Sequence, residues 1–146
     1  MDDHSAGPSV WAVRLGYAGL IPFVGLAAAL WLARPAPWPL ASMALLGYGA
    51  VISSFLGALH WGLAMRAGPV APARLLLYGV VPSLVGWVAL LLGEAPGLLL
   101  VAVLLWACLA VDRVVFGHYR LQAWMPLRWH LTVVASLSCL AGAAAL

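Results

Sequence analysis

Five apolar runs, near residues 11–32, 40–65, 73–92, 97–116 and 129–146, leave this chain few ways to fold. A helix needs roughly 20 residues to cross a hydrocarbon core about 30 Å thick, so each run predicts one membrane-spanning helix. Inside lipid the backbone must satisfy its own hydrogen bonds, and runs this continuous do so only as helices. No ten-residue alternation of apolar and polar positions points to a barrel. With 66% hydrophobic and 8% charged residues and a mean hydropathy of +1.07, the chain lies outside soluble composition. The expected fold is all-α, an integral membrane protein of five transmembrane helices, with residues 1–146 forming a single transmembrane domain.

The connections predict how the helices run. "ARPAPWP", "RAGPVAP" and "GEAPG" are short and rich in proline, so consecutive spans are expected to be antiparallel neighbours. Only "GHYRLQAWMPLR", residues 117–128, has room for a site of its own. Arg14, Arg66, Arg74, Arg113, Arg120 and Arg128 then share one side and Arg34 stands opposite. The positive-inside rule puts the N-terminus in the cytoplasm and the C-terminus in the periplasm. Trp11, Trp61, Trp124 and Trp129 fall at the arginine-rich face, Trp31, Trp38 and Trp87 at or near the other, as interfacial anchors; Trp106 alone is expected to lie deep. The acidic N-terminus "MDDHSAGPSV" lacks a basic signal region, so the first run reads as a retained anchor.

Composition also excludes partners. The basic charge is carried by scattered arginines with no stripe that would track phosphates, so nucleic acid is not an expected partner; the lipid bilayer is, with other membrane subunits or a homo-oligomer as further candidates. Cys108 and Cys139 lie in apolar runs without metal-ligand spacing and read as small buried hydrophobes.

An offset of sixty residues lays "RLGYAGLIP", residues 14–22, over "RLLLYGVVP", residues 74–82. A shift of two spans preserves direction, so the pattern suggests a parallel repeat of two helical hairpins with the fifth helix added. Pro22 and Pro82 would then be equivalent kinks, each freeing a carbonyl one turn earlier, at Ala18 and Tyr78. Helix packing is the simpler role for both.

Few residues are equipped for chemistry. Gly49, Ser53 and Gly57 recur every fourth position on the second span, a stripe suited to close helix packing, and His60 follows three residues later. Asp112 lies within the fourth span, where a carboxylate must be paired or reach water; Arg66, Arg74, Arg128 or a histidine are the candidate partners. His60, Trp61, Tyr78, Asp112, Arg128 and His130, joined by Tyr17, His118 and Tyr119, are expected to make a polar cluster at the arginine-rich mouth. Interfacial histidines that bond headgroups and loop carbonyls are the plainer alternative. Neither a CxxCH nor an HExxH signature is present, no metal site is assigned, and the sequence names no cofactor. Glu94 reads as a solvated loop carboxylate on the opposite face.

"GLIPF" at 19–23, "GAVISSFLGALHWGLAM" at 49–65, "VVPSLVGWVALLL" at 80–92, Asp112 and "WMPLRWHLT" at 124–132 resemble the DUF3429 family of small bacterial inner-membrane proteins, to which the mitochondrial transmembrane protein 69 is related. The resemblance covers nearly the whole chain and implies a compact multi-pass protein of the bacterial inner membrane. It brings no established activity and no catalytic residue. It directs attention to Gly57, His60, Trp61, Gly62, Asp112, Arg128 and Thr132.

A non-enzymatic accessory, assembly or lipid-like-ligand-binding subunit of a membrane complex is the first functional expectation, because small packing residues abound and catalytic equipment is scarce. The rivals are a small transporter or channel with Pro22, Pro82 and Asp112 along its path, and a haem- or quinone-associated redox protein using His60 with His118 or His130.

Overall fold

The computed structural model describes residues 7–32 and 39–146. Among these residues six α-helices make five spans: α1 (Val10–Ala18) and α2 (Ile21–Leu32) share the first, followed by α3 (Pro39–Ala67), α4 (Ala73–Leu91), α5 (Glu94–His118) and α6 (Met125–Ala145). Arg34, Trp38 and the first connection lie outside the described residues, as does most of the acidic N-terminus.

The first span is interrupted where one continuous helix was expected. Pro22 has no N–H and its ring crowds the carbonyl four residues back, so the helix gives way before it, at Gly19 and Leu20. Pro22 then occupies the first turn of α2, where proline is tolerated. The Tyr48 hydroxyl donates to the Gly19 carbonyl at 2.9 Å, which satisfies an acceptor opened by the break. At Pro82, by contrast, α4 runs on unbroken from Ala73 to Leu91. The two prolines paired by the sixty-residue offset therefore sit in different local structure.

The last connection is shorter than its sequence suggests. Helix α5 continues to His118 and α6 begins at Met125, leaving a tight reversal with a 3-10 turn at Gln122–Trp124. Arg120 takes a φ of 55°, and the Leu121 N–H reaches back to the Phe116 carbonyl at 2.9 Å, the arrangement of a Schellman cap. At the other end of α5, Gly93 adopts φ 87° and ψ −179°, a combination open to glycine alone.

Helices α3 and α5 form the centre. The most extensive contacts join α3 to α4 and α5 to α6; α2 packs on both α3 and α6, whereas α1 leans on α6. The core of Phe23, Leu30, Leu45, Leu98, Leu105 and Cys139 is buried between them. Outward-facing positions are apolar too: Phe55, Leu77, Leu84, Trp87, Leu91 and Val103 are all exposed. A surface of this kind suits lipid, and in water it would drive association.

Close approach of α3 and α4 depends on two glycines. A Cβ on Gly57 would stand 2.3 Å from the Gly79 carbonyl oxygen, and one on Gly79 would stand 2.0 Å from the Trp61 ring. Small residues at such crossings let backbones touch where lipid gives no hydrophobic drive. Gly49, at the other end of the stripe, faces Val101 of α5, and Ser53 between them is buried with its hydroxyl on the Gly49 carbonyl. Glu94 is likewise no free loop carboxylate: it opens α5, where the helix dipole favours negative charge, and accepts a hydrogen bond from the buried Ser42.

Candidate functional site

Asp112 is wholly enclosed, 0% exposed, six residues before the end of α5. A bare carboxylate there would be prohibitively costly, and the fold supplies Arg128 from the first turn of α6. Arg128 Nε donates to Asp112 Oδ2 at 2.8 Å, and its Nη2 lies 2.6 Å from the same oxygen, off hydrogen-bond geometry. Both contacts fall on one oxygen. The other, Oδ1, has only His60 Nε2 at 3.5 Å, too long for a formed hydrogen bond. Neither ring nitrogen of His60, itself buried, has a hydrogen-bond partner among the described residues.

His60 reaches this point because α3 carries it one turn beyond Gly57, on the face held against α4 and α5. The ring of Tyr78 meets it edge-on at 6.2 Å. Trp61, next along, turns outward across Gly79 and donates to the Leu76 carbonyl at 3.1 Å, so it clamps α3 to α4. Of the partners the sequence offers Asp112, the structure thus brings in Arg128 and His60, with Tyr78 behind.

The other two histidines among the described residues go elsewhere. His130 Nδ1 is 3.0 Å from the Tyr17 hydroxyl, tying α6 to α1, and His118 Nδ1 is 3.1 Å from the Val114 carbonyl of its own helix. The broad cluster expected at the mouth is divided into separate groups, each with its own neighbours. Among the described residues no group of three or more metal-ligating side chains assembles. Trp106 stands midway along α5, stacks edge-on against Trp129 at 5.2 Å and donates to Ser136 Oγ at 3.1 Å.

Two cavities flank the ionic cluster. Beside α1, which packs on α6, a cleft of about 510 Å³ opens between α1, α2, α3, α5 and α6. Leu15, Leu20, Ile52, Phe55, Leu59 and Leu131 give it apolar walls. Arg128 and Thr132 also line it. Thr132 is 2% exposed, and its hydroxyl has no hydrogen-bond partner among the described residues. A threonine inside a helix usually bonds its own backbone one turn back, and a buried orphan hydroxyl costs about 1–3 kcal/mol. The second cavity, about 440 Å³, lies between α4 and α5 at the arginine-rich end, with Arg74, Tyr78, His118 and Tyr119 in its walls. Tyr78 separates it from His60.

The sequence did not disclose the cleft. Its only local signs are Pro22 and Gly19, which break the first span, and Tyr48, whose role depends on a partner 29 residues away. Thr132 stands out on family resemblance alone.

Five apolar spans among the described residues, around a buried ion pair and with lipid-suited surfaces outside, define a multi-pass helical membrane protein. The chain belongs to the DUF3429 family, proteins of unknown function, whose family model matches residues 9–144. It is 38% identical over 132 residues to Transmembrane protein 69 of Xenopus tropicalis, an alignment covering 87% of this chain and 51% of that protein. The chain thus spans about half the length of this curated relative. No solved structure matches it.

Proposed function

We propose that this protein is a non-enzymatic subunit of the bacterial inner membrane that binds a lipid-like amphiphile in the cleft beside α1. One observation carries the reading: an otherwise apolar cleft of about 510 Å³ has two polar residues, Arg128 and Thr132, in its lining, of which Thr132 bears an unpartnered buried hydroxyl. Small-molecule sites have this form, mostly apolar walls of roughly 300–1,000 Å³ with a few placed polar groups that fix orientation. An apolar tail fits the walls, and a head bearing acceptor oxygens fits the floor. The six arginines of the described residues gather at the cleft's end of the bundle, which favours a cytoplasmic position for that end.

Native mass spectrometry on protein extracted gently from its own membranes tests the reading. The expected spectrum shows the 15.3 kDa chain with a retained amphiphile. Ala12→Phe, which fills the cleft from α1 without touching its floor, is expected to abolish that added mass while the protein stays folded. A wild-type chain that never carries an amphiphile would overturn the proposal.

A further inference from the structure

The charge balance of the ion pair limits what the cleft accepts. Resting on the amphiphile reading above, we infer that the ligand is a single-chain amphiphile with an anionic oxyanion head, such as a fatty-acid carboxylate, and that it enters with one proton, which settles on His60.

The floor selects an acceptor. The Thr132 hydroxyl is free to donate, and Arg128 adds the cation beside it. Thr132 stands seven residues beyond the helix start at Met125, about 10 Å along α6, so a head that reaches its hydroxyl must be drawn beneath the interface. A single chain can do this, whereas a diacyl phospholipid keeps its phosphate at the headgroup level. The cleft volume of about 510 Å³ is that of a site for one small molecule.

The proton follows from electrostatics. Asp112 and Arg128 are neutral as a pair, with both guanidinium contacts on Oδ2. An anionic head at Arg128 gives two oxyanions one cation in a buried site, and like charges so placed drive uptake of a proton. His60 is placed to hold it: Nε2 lies 3.5 Å from the underused Oδ1, and on protonation the two close into a charge-assisted hydrogen bond. The balance is one anion and one proton entering together, with no bond broken in the ligand. The titratable and charged groups facing His60 are Tyr78 from α4, Asp112 from α5 and, through Asp112, Arg128 from α6; α2 carries none. Tyr78 also walls the cavity between α4 and α5, which gives the proton a route from the arginine-rich end that avoids the ligand cleft.

Calorimetric binding to the full chain in phosphatidylcholine nanodiscs tests the inference with two probes. Dodecanesulfonate stays anionic at every working pH, so any proton taken up belongs to the protein, and dodecanol is its neutral counterpart. Sulfonate affinity is expected to fall toward tenfold per pH unit on the alkaline side, because one proton is bound with the ligand. Dodecanol binding is expected to be flat with pH. His60→Gln should remove the sulfonate slope and leave dodecanol binding intact, which also shows that the variant is folded. Sulfonate binding without a pH slope, or a slope that survives His60→Gln, would overturn proton coupling through His60. Phosphatidylglycerol added to the discs should not displace the sulfonate; displacement would assign the floor to a phospholipid headgroup and sink the single-chain assignment. If Ala12→Phe leaves the binding of both probes unchanged, the cleft reading itself fails, a result distinct from a lost pH slope.

Discussion

At the scale of single residues, the buried ion pair and the orphan hydroxyl pull in opposite directions. Asp112→Asn leaves Arg128 charged and unpaired in the core, and Arg128→Gln does the reverse; either is expected to cost about 3–5 kcal/mol, read as a shift in denaturant midpoint in detergent. Replacing both by well-packed apolar residues should cost far less, because desolvation of two ions disappears with their attraction. Thr132→Val is expected to act the other way on the ligand-free protein, raising stability by about 1–3 kcal/mol, since it removes a buried donor without a partner. The same change should weaken amphiphile retention in native mass spectra. Unaltered retention would remove Thr132 from the floor of the site. That Asp112 needed a partner was legible from its place in an apolar run. Which of several arginines and histidines met it was not, because 16 residues of chain and a tight reversal separate it from Arg128.

At the scale of elements, the break between α1 and α2 borders the cleft, with Gly19 and Leu20 in its wall. Pro22→Ala restores an N–H that can bond the Ala18 carbonyl and is expected to straighten the first span. A spin-label distance between α1 and α3 should then shorten as the cleft narrows, and amphiphile binding should fall with it. The crossing of α3 and α4 is equally specific. Gly79→Val sets side-chain atoms against the Trp61 ring, already 2.0 Å from where a Cβ would stand, and should destabilise the bundle by about 1–3 kcal/mol in thermal unfolding. Helix number and type were readable from run length and hydropathy. Helix ends were less so: α5 and α6 each extend into what reads as a loop, because Leu121 and Phe116 close a cap around Arg120 that no periodicity announces.

At the scale of the whole molecule, one end of the bundle gathers the described arginines, the ion pair and both cavities. With that end toward the cytoplasm, alkaline phosphatase fused after Leu146 should be active and a fluorescent protein at the same position dark; the opposite pattern would invert the orientation. Cys108 and Cys139 are both buried free thiols, so maleimide labelling in intact membranes should fail at each until the protein is denatured. The five spans, their alternation and the crowding of arginine on one side were determined by sequence alone, since lipid imposes a length and a hydropathy on every crossing irrespective of its neighbours. Tertiary structure alone decided that His60 and Arg128 approach different oxygens of Asp112, that His130 and His118 turn away, and that α1, α2, α3, α5 and α6 leave a cleft lined in part by Thr132. Those outcomes depend on the rotation and lean of each helix against the others. Side-chain packing and the pairing of buried charge set them, and both are contacts between residues distant along the chain.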